Sequence, residues 1–287
     1  AFPVITTDTQ REGTHFREEW LTPEALGERA VEVTLSDLAA SYARPVSLFV
    51  NLGLPAAVSE ATIHRIYHGL YKALERHGCQ LGGGNIARAE RLSLDLFAVG
   101  EGRRACFPRR SAARPGDGLY TTGPLGLARC GLMALQHRDE RFPDPVQRFQ
   151  QPRARFDAAA ILAAQGVRCV MDISDGLAGD AAHIARAANL SIHLAAGASA
   201  EHPELLEEMK GLWFYNAGVL SGLPLDDRSA LEILTSVGPS RRRRETAPRP
   251  RTRGGREPLH PDRVAVLDDL GIGDAGIRHV AVDRVGA

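Results

Sequence analysis

Five short motifs hold the residue types in this 287-residue chain that are best suited to chemistry. In chain order they are Thr6-Thr7-Asp8-Thr9, Gly13-Thr14-His15-Phe16, Ser36-Asp37-Leu38, Gly82-Gly83-Gly84-Asn85 and Asp172-Ile173-Ser174-Asp175-Gly176. Carboxylate and hydroxyl oxygens are the hard ligands that Mg²⁺ prefers, and one or two carboxylates suffice for each ion when substrate phosphates supply further oxygens. Glycine runs let the backbone approach a phosphate and donate N–H groups to it. The motifs together therefore predict a metal–phosphate site.

Each motif taken singly also has a purely structural explanation. Asp8 could cap a turn, residues 82–84 could form a flexible turn, and residues 172–176 could simply cap a following helix. His15 alone is typical of a surface or hydrogen-bonded core histidine. Asp37 is the least ordinary, because it continues an apolar stripe on a predicted helix. The other members of that stripe are Leu26, Ala30 and Val33. The joint occurrence of all five motifs favours a shared site over five separate structural roles.

The hydrophobic periodicity predicts a chain in which strands and helices alternate. In the first part, strands are expected over residues 2–7, 46–54 and 92–99, and helices over 23–42 and 60–77. A proline- and glycine-rich turn at 114–118 separates this part from the second. There the expected elements are strands over 119–122, 167–171 and 190–194, helices over 125–136, 156–165 and 177–188, and a polar surface connection over 138–153. Such alternation is typical of an α/β fold.

The composition excludes several classes of function. The 35 basic residues balance the 35 acidic ones, so net charge gives no reason to expect nucleic acid or an anionic membrane as the main partner. No apolar run reaches the ~18 residues that span a bilayer. The four cysteines form no C-x-x-C pair, which argues against a zinc ribbon. Neither Lys72 nor Lys210 follows a glycine, which excludes a G-x-x-x-x-G-K phosphate loop. We expect free thiols and a cytoplasmic location.

Two parts of the chain stand apart from this pattern. Residues 239–256 contain eight arginines, three prolines and no large apolar residue, so we expect a disordered surface insertion. A contact with nucleic acid or another polyanion is a less favoured alternative, and a non-native stretch is a third. The chain also opens at Ala1 without an initiator methionine and enters a strand-like run at once, from which we expect an upstream segment.

A set of longer strings carries a resemblance to a known family. The strings are VITTDTQREGTHF, LSDLAA, LGGGNIAR, RSAARPGDGLYTTGPLG and MDISDGL, in one order between residues 4 and 222. They resemble thiamine-monophosphate kinases, a family in the superfamily of aminoimidazole ribonucleotide synthetase and selenophosphate synthetase. The resemblance implies a two-domain α/β (α+β) protein, with an ATP- and Mg²⁺-binding, dimerising domain over residues 1–113 and an α/β domain over 114–287. It implies a homodimer that uses several Mg²⁺ ions and transfers the γ-phosphoryl group of ATP to thiamine monophosphate, giving thiamine diphosphate.

The resemblance also implies a role for each matching residue. The implied metal ligands are Thr6, Thr7, Asp8, Asp37, Asn85, Asp172 and Asp175. The implied ATP contacts are Gly84, Asn85, Arg110 and Ser174, and the implied contact to thiamine phosphate is His15. Asp37 and Arg110 are expected to act most directly in catalysis. Asn85 stands where better-known members carry Asp, and a Gly-Gly-Glu-Asp-Tyr-Glu-Leu segment typical of the family is not present in the sequence.

Two alternatives remain open at this point. One is another ATP-dependent enzyme of the same superfamily that acts on a different small phosphorylated substrate. The other is a catalytically weak homologue that binds nucleotide or thiamine phosphate without efficient turnover.

Overall fold

Two β-sheets with helices packed on them make up the computed structural model, which describes residues 1–122, 126–174, 176–192, 264–268 and 278–284. The first elements are β1 (Phe2–Arg11), α1 (Pro23–Ala40), β2 (Arg44–Leu54), α2 (Glu60–Arg76), β3 (Gln80–Arg88) and β4 (Ser93–Gly102). After a short 3-10 turn over Arg110–Ala112 come β5 (Gly118–Thr121), α3 (Leu127–His137), α4 (Pro143–Gln150), α5 (Phe156–Ala164), β6 (Cys169–Ile173), α6 (Leu177–Ala188), β7 (Leu190–Ile192), β8 (Val264–Asp268) and β9 (Arg278–Arg284). The predicted α/β architecture is confirmed. The insertion predicted at 239–256 lies outside the described residues.

The first sheet has the strand order β1-β4-β2-β3, and α1 and α2 pack together on one of its faces. Strand β4 runs antiparallel to β1 and β2, whereas β3 runs parallel to β2. Each helix begins at a hydroxyl cap: Thr22 accepts the amide of Ala25 at 3.2 Å, and Ser59 accepts that of Thr62 at 3.1 Å. Leucines from α1, β2 and β4 form a fully buried core between the sheet and the helices. They include Leu35, Leu38, Leu48, Leu52, Leu94 and Leu96.

The glycine-rich motif at residues 82–85 is part of strand β3, and the prediction of a turn there is wrong. Glycine usually weakens a strand, but here β2 and its side chains come too close to β3 for a further side chain to fit. A Cβ atom on Gly84 would lie 1.8 Å from the carbonyl oxygen of Val50, and one on Gly82 would lie 2.7 Å from the ring of Phe49. The glycines therefore allow close packing of the two parallel strands.

The polar connection predicted over residues 138–153 contains a helix, α4. This helix has eight residues, of which two are prolines, a composition typical of a connection, and only Pro145 and Phe149 are buried. The ring of Phe149 packs edge-on against Trp20 with centroids 6.2 Å apart, and the guanidinium of Arg29 lies 4.5 Å from its centroid. Contacts with residues distant in the sequence thus hold α4 in place.

The second sheet has the strand order β6-β8-β5-β9-β7, and α1 connects it to the first. Strand β8 runs parallel to β5 and β6, and β9 runs antiparallel to β5 and β7. The carboxyl end of α1 packs on α5 and β6 in a small apolar cluster. Its buried members are Ala39, Ala40, Ala158, Ala159, Leu162, Val167 and Val170. Helix α1 is consequently buried along most of its length by elements from both parts of the chain.

The crossing of α1 and α2 depends on two glycines. A Cβ atom on Gly69 would lie 2.0 Å from the carbonyl oxygen of Glu24, and one on Gly27 would lie 2.2 Å from that of Ile66. We predict that Gly69→Ala lowers the free energy of unfolding by about 2 kcal/mol, because forcing the helices apart outweighs the ~1 kcal/mol gain in helix propensity. Urea unfolding measures this, with the exposed neighbour His68→Ala as a control expected to change stability by less than about 0.5 kcal/mol. A stabilised Gly69→Ala variant would show that the helices do not meet at this point.

Candidate active site

The first part of the site lies where β1 meets α1. Thr6 and Asp8 are two residues apart on β1, so their side chains share the face that α1 covers. The hydroxyl of Thr6 donates a hydrogen bond to the carboxylate of Asp37 on α1. Thr7 lies between them, is exposed and points to the opposite face. The structure therefore separates Thr7 from the other predicted metal ligands of this motif.

Asp37 lies on a half-buried line of α1 that also includes Arg29 and Val33, at spacings of four residues. Leu26 and Ala30, the other members of the predicted stripe, are buried. Asp37 thus continues an otherwise apolar face of α1, as the sequence predicted. The line of Asp37 is the side of the helix that remains accessible.

The negative charge of Asp37 acts on two other carboxylates, those of Asp172 and Asp8. Burial raises the pKa of Asp172 on β6 to about 6, and the negative charge of Asp37 contributes to that rise. Burial also raises the pKa of Asp8, again with a contribution from Asp37. The backbone N–H of the next residue opposes this second rise, as do the charges of His15 and Arg29. Three separate elements, β1, α1 and β6, thus place acidic groups in one region.

These side chains fit a Mg²⁺ site that a phosphate completes. Within the described ranges, no three or more His, Cys, Asp or Glu side chains are grouped closely enough to hold a metal ion by themselves. Mg²⁺ takes one or two carboxylates per ion, however, and obtains its remaining oxygens from water and phosphates. The donors available are all oxygens, which Mg²⁺ selects: Thr6, Asp8, Asp37 and Asp172. A cation would also offset the burial and the repulsion by Asp37 that together raise the pKa of Asp172.

A carboxylate that the sequence analysis missed holds the segment after β6. Asp180 is 1% exposed, and its Oδ2 accepts the backbone N–H of Ser174 at 3.1 Å. This bond ties the loop to α6 and keeps Ser174 at the carboxyl end of β6, two residues after Asp172. The available signal was the position of Asp180 in the first turn of a predicted helix, where acidic residues are favourable. Asp175, a predicted metal ligand, lies outside the described residues.

Arg110 and His15 also approach the carboxylates. Arg110 begins the 3-10 turn, is exposed, and its positive charge opposes the rise in the pKa of Asp172. His15 lies in the turn after β1, where its Nδ1 accepts the backbone N–H of Arg11 at 3.0 Å. The structure therefore brings most of the predicted site residues into one region. They are Thr6, Asp8, His15, Asp37, Arg110 and Asp172, with Ser174 at its margin.

Gly84 and Asn85 lie away from this region. Their strand, β3, forms the opposite edge of the sheet from β1, three strands or about 14 Å away. Asn85 belongs to a polar row on the face that the helices do not cover, and the row continues through Asn51, Asp95 and Thr9. Within that row the Thr9 hydroxyl donates to Asp95 at 2.7 Å. A single chain thus does not bring Gly84 and Asn85 to the carboxylates, because the strand order separates them.

Comparison with known proteins covers both parts of the chain. The family described as AIR synthase related protein, N-terminal domain, matches residues 2–101, and the corresponding C-terminal domain family matches residues 114–238. A crystal structure of thiamine monophosphate kinase from Aquifex aeolicus covers 73% of this chain and 72% of its own, at 33% identity and a TM-score of 0.67. The chain belongs to the thiamine-monophosphate kinase family. A second A. aeolicus structure, described as complexed with AMPPCP and TMP, also has a TM-score of 0.67 and covers 73% of this chain and 68% of its own.

Curated thiamine-monophosphate kinases are similar in sequence over about the same region. The A. aeolicus enzyme is 35% identical over 195 residues, which are 67% of this chain and 62% of that protein. The enzyme of Leptospira interrogans is 35% identical over 198 residues, which are 67% of this chain and 64% of that protein. The chain therefore spans less than two thirds of the length of these kinases.

The buried carboxylate of Asp172 makes stability depend on pH. Its pKa of about 6 exceeds the ordinary value of 3.8, so the folded state holds this proton more tightly and stability falls as pH rises from about 4 to about 6. We predict that the unfolding free energy of Asp172→Asn, relative to that of the parent, rises by about 2 kcal/mol as the pH is raised from 4 to 7 without divalent metal. Urea unfolding at several pH values in EDTA measures the difference.

A control of opposite sign is available at Asp157. Burial would raise the pKa of Asp157, but the hydrogen bonds from Arg155 and from the backbone of Ala158 outweigh it and hold the pKa below its ordinary value. Asp157→Asn should therefore be less stable than the parent at pH 7, with a difference that shrinks as the pH falls through that lowered pKa. A pH-independent difference for Asp172→Asn would contradict the assignment of a desolvated carboxylate.

Proposed function

We propose that this chain transfers the γ-phosphoryl group of ATP to thiamine monophosphate, giving thiamine diphosphate, in a Mg²⁺-dependent reaction. The observation that carries the proposal is the convergence of Asp8, Asp37 and Asp172 from three elements, beside Arg110 and His15. The proposal is supported by the names of the curated relatives and by the A. aeolicus structure described with AMPPCP and TMP.

The reaction needs the type of arrangement that these residues provide. Both reacting phosphates are anions, so the barrier comes mainly from charge repulsion and alignment, and no strong general base is required. Asp8, Asp37 and Asp172, with the hydroxyl of Thr6, would hold Mg²⁺. The bound ion supplies neutralisation of charge on the ATP phosphates. Asp175 is proposed as a further ligand from its place in the matching motif.

Contacts to the two substrates are proposed for three other residues. The guanidinium of Arg110 can donate two parallel hydrogen bonds to phosphate oxygens, and its exposure beside Asp172 leaves it accessible to ATP. Ser174 would contact ATP through its hydroxyl, because its backbone N–H donates to Asp180. His15, at the side of the site next to Asp8, would contact thiamine monophosphate.

We also propose that two copies of the chain pair through the outer face of the first sheet, the face that α1 and α2 do not cover. Large apolar side chains are exposed there, and Phe49 and Phe97 lie directly opposite each other on β2 and β4. Ile5 extends this apolar surface on β1. Clustered exposed apolar side chains on one sheet face are typical of a protein interface.

Pairing of this kind would complete the site. Thr7 and Asn85 lie on the outer face, and Gly84 precedes Asn85 at the β3 edge. We propose that these three residues reach metal and ATP within the dimer. Asn85 would offer a neutral oxygen, which binds Mg²⁺ less strongly than a carboxylate.

The organisation and location of the protein follow from the same reasoning. We propose two domains, over residues 1–113 and 114–287, divided before the turn at 114–118. No helix in the described ranges is long and apolar enough to cross a membrane. A cytoplasmic location is proposed because ATP is the co-substrate and all four cysteines are free thiols.

We predict that Asp37→Asn lowers the rate of thiamine diphosphate formation by at least ~100-fold, or about 2.7 kcal/mol in the barrier, because Asp37 is the carboxylate shared by both neighbours. The same variant should bind ATP with Mg²⁺ about tenfold more weakly in isothermal titration, which leaves a measurable affinity. The control is Asp144→Asn, at an exposed position of α4, which should keep parental binding and rate.

The outcome for the parent protein distinguishes the alternative functions. Binding of Mg·ATP without turnover would favour a nucleotide-binding homologue, and turnover of another phosphorylated metabolite would favour a different enzyme of the superfamily. Parental rates in Asp37→Asn would remove Asp37 from the site.

We predict that Phe97→Arg converts a dimer into a monomer in analytical ultracentrifugation, because it places a charge in the centre of the proposed interface. The control is Tyr71→Arg on α2, since Tyr71 is an aromatic residue with 55% exposure, compared with 40% for Phe97, on the helical side of the sheet. That variant should remain dimeric. A parent that is monomeric, or a Phe97→Arg variant that still dimerises, would refute this interface.

A further inference from the structure

A buried ion-pair network surrounds Glu32, in the middle of α1. The side chain of Glu32 has no exposed surface, and each of its carboxylate oxygens accepts hydrogen bonds. Oε1 accepts from Arg76 and, at 2.9 Å, from Arg153. Oε2 lies 2.8 Å from His77 Nε2 and accepts the backbone N–H of Ala154 at 2.8 Å. This carboxylate is thus fully satisfied, as a buried charge must be.

Glu28, one turn earlier on α1, belongs to the same network. Its carboxylate accepts hydrogen bonds from Lys72 at 2.7 Å and from Arg76 at 3.0 Å. Arg153 reaches Glu28 at 3.4 Å with the same nitrogen, Nη1, that contacts Glu32. One nitrogen of Arg153 therefore joins two successive turns of α1.

The partners of Glu32 come from two different parts of the fold. Arg76 and His77 lie at the end of α2, which packs beside α1 on the first sheet. Arg153 and Ala154 lie in the segment between α4 and α5, which leads into the elements that pack with β6. Glu32 therefore ties α1 to the second part of the chain as well as to its neighbouring helix.

Asp37 lies between this tie and a second attachment of α1. Asp37 is five positions after Glu32, which is roughly 7.5 Å along the helix axis. Beyond Asp37, Ala39 and Ala40 pack on α5 and β6, and the hydroxyl of Tyr42 donates to the carbonyl of Val167 at 3.2 Å. Alanine contacts are non-directional and allow small shifts along the axis. The charged hydrogen bonds of Glu32 have defined directions, so they are the contacts that can set the axial position of α1.

The energetics of this network favour a geometric role over a stabilising one. Removing two charges from water consumes most of what their attraction contributes, and a well-packed apolar group often stabilises a fold equally well. Burial would raise the pKa of Glu32, but the hydrogen bond and charge of His77, the Ala154 amide and Arg153 outweigh it and keep the group ionised. What the network adds beyond an apolar contact is a defined arrangement of α1 against its neighbours.

We infer that Glu32, acting through Arg153 and Ala154, is a positioning residue that holds Asp37 of α1 at its place against Asp172 of β6. This inference rests on the proposed function, because Mg·ATP is the ligand that Asp37 and Asp172 are proposed to bind. The placement of Asp37 itself does not depend on which phosphate acceptor the enzyme uses.

Three variants test this role. Arg153→Met removes the charged side-chain part of the tie to the second part of the chain and leaves Glu32 with Arg76, His77 and the Ala154 amide. Arg153→Lys should restore the parental behaviour, because a single nitrogen makes both contacts. Lys72→Met is the matched control, since Lys72 pairs with Glu28 from α2 on the surface and does not reach the second part.

We expect Arg153→Met to bind Mg·ATP about tenfold more weakly than the parent. The affinity of Arg153→Lys should lie within about twofold of the parental value, and that of Lys72→Met should be unchanged. Isothermal titration with ATP and Mg²⁺ measures all three. Combining Arg153→Met with Asp37→Asn separates positioning from general destabilisation. If Arg153 acts through Asp37, the double variant binds no more weakly than Asp37→Asn alone. Additive losses, or parental affinity in Arg153→Met, would overturn the inference.

Amide hydrogen exchange on the protein without ligand gives a second measurement. Arg153→Met should speed exchange at Ala154 and in β6, whereas Lys72→Met should not. Unchanged exchange in Arg153→Met would also overturn the positioning role. The proposed function and the positioning role can fail separately. If the parent forms no thiamine diphosphate or binds no Mg·ATP, the proposed function is contradicted. Faster exchange in Arg153→Met would still support the positioning role in that case.

Discussion

The burial of α1 between the two parts of the fold is the constraint on which the rest of the structure depends. One side of this helix packs on the first sheet and on α2, and its carboxyl end packs on α5 and β6. Asp37 is therefore presented to β1 and β6 at the same time. Without that shared helix, the carboxylates of Asp8 and Asp172 would have no common neighbour.

The site opposes the stability of the fold that carries it. Burial, with a smaller contribution from the charge of Asp37, raises the pKa values of Asp8 and Asp172, which means that their ionised forms are unfavourable where they lie. The apolar core around α1 must outweigh this unfavourable contribution. Such a conflict between local electrostatics and folding is typical of functional sites, where a ligand supplies the missing opposite charge.

The two faces of the first sheet have different tasks, because strand residues alternate between them. The face towards the helices contains the leucine core and, at the β1 edge, Thr6 and Asp8. The outer face combines exposed Phe49 and Phe97 with the polar row that ends at Asn85. Family motifs lie on both faces, so one copy of the chain does not gather all of them.

The sequence by itself determined the residue types, the helices with clear caps and periodicity, and the family. The starts of α1 and α2 were predicted at residues 23 and 60 and are observed there, because their hydroxyl caps, Thr22 and Ser59, interact only with near neighbours. The motifs around Asp8, Asp37 and Asp172 were also identified as candidate metal-binding motifs, because oxygen-donor residues and glycines can be recognised directly in the sequence.

Only the tertiary structure decided which of those motifs meet. Strand order and face set the separation of Thr7 and Asn85 from Asp8, and neither is encoded in local spacing. The strand conformation of glycines 82–84 in β3 was missed, and so was helix α4. Both depend on close contacts with residues far away in the sequence. The roles of Asp180 and Glu32 escaped for the same reason: a buried carboxylate is recognised by its hydrogen-bond partners, and those partners are brought together only when the chain folds.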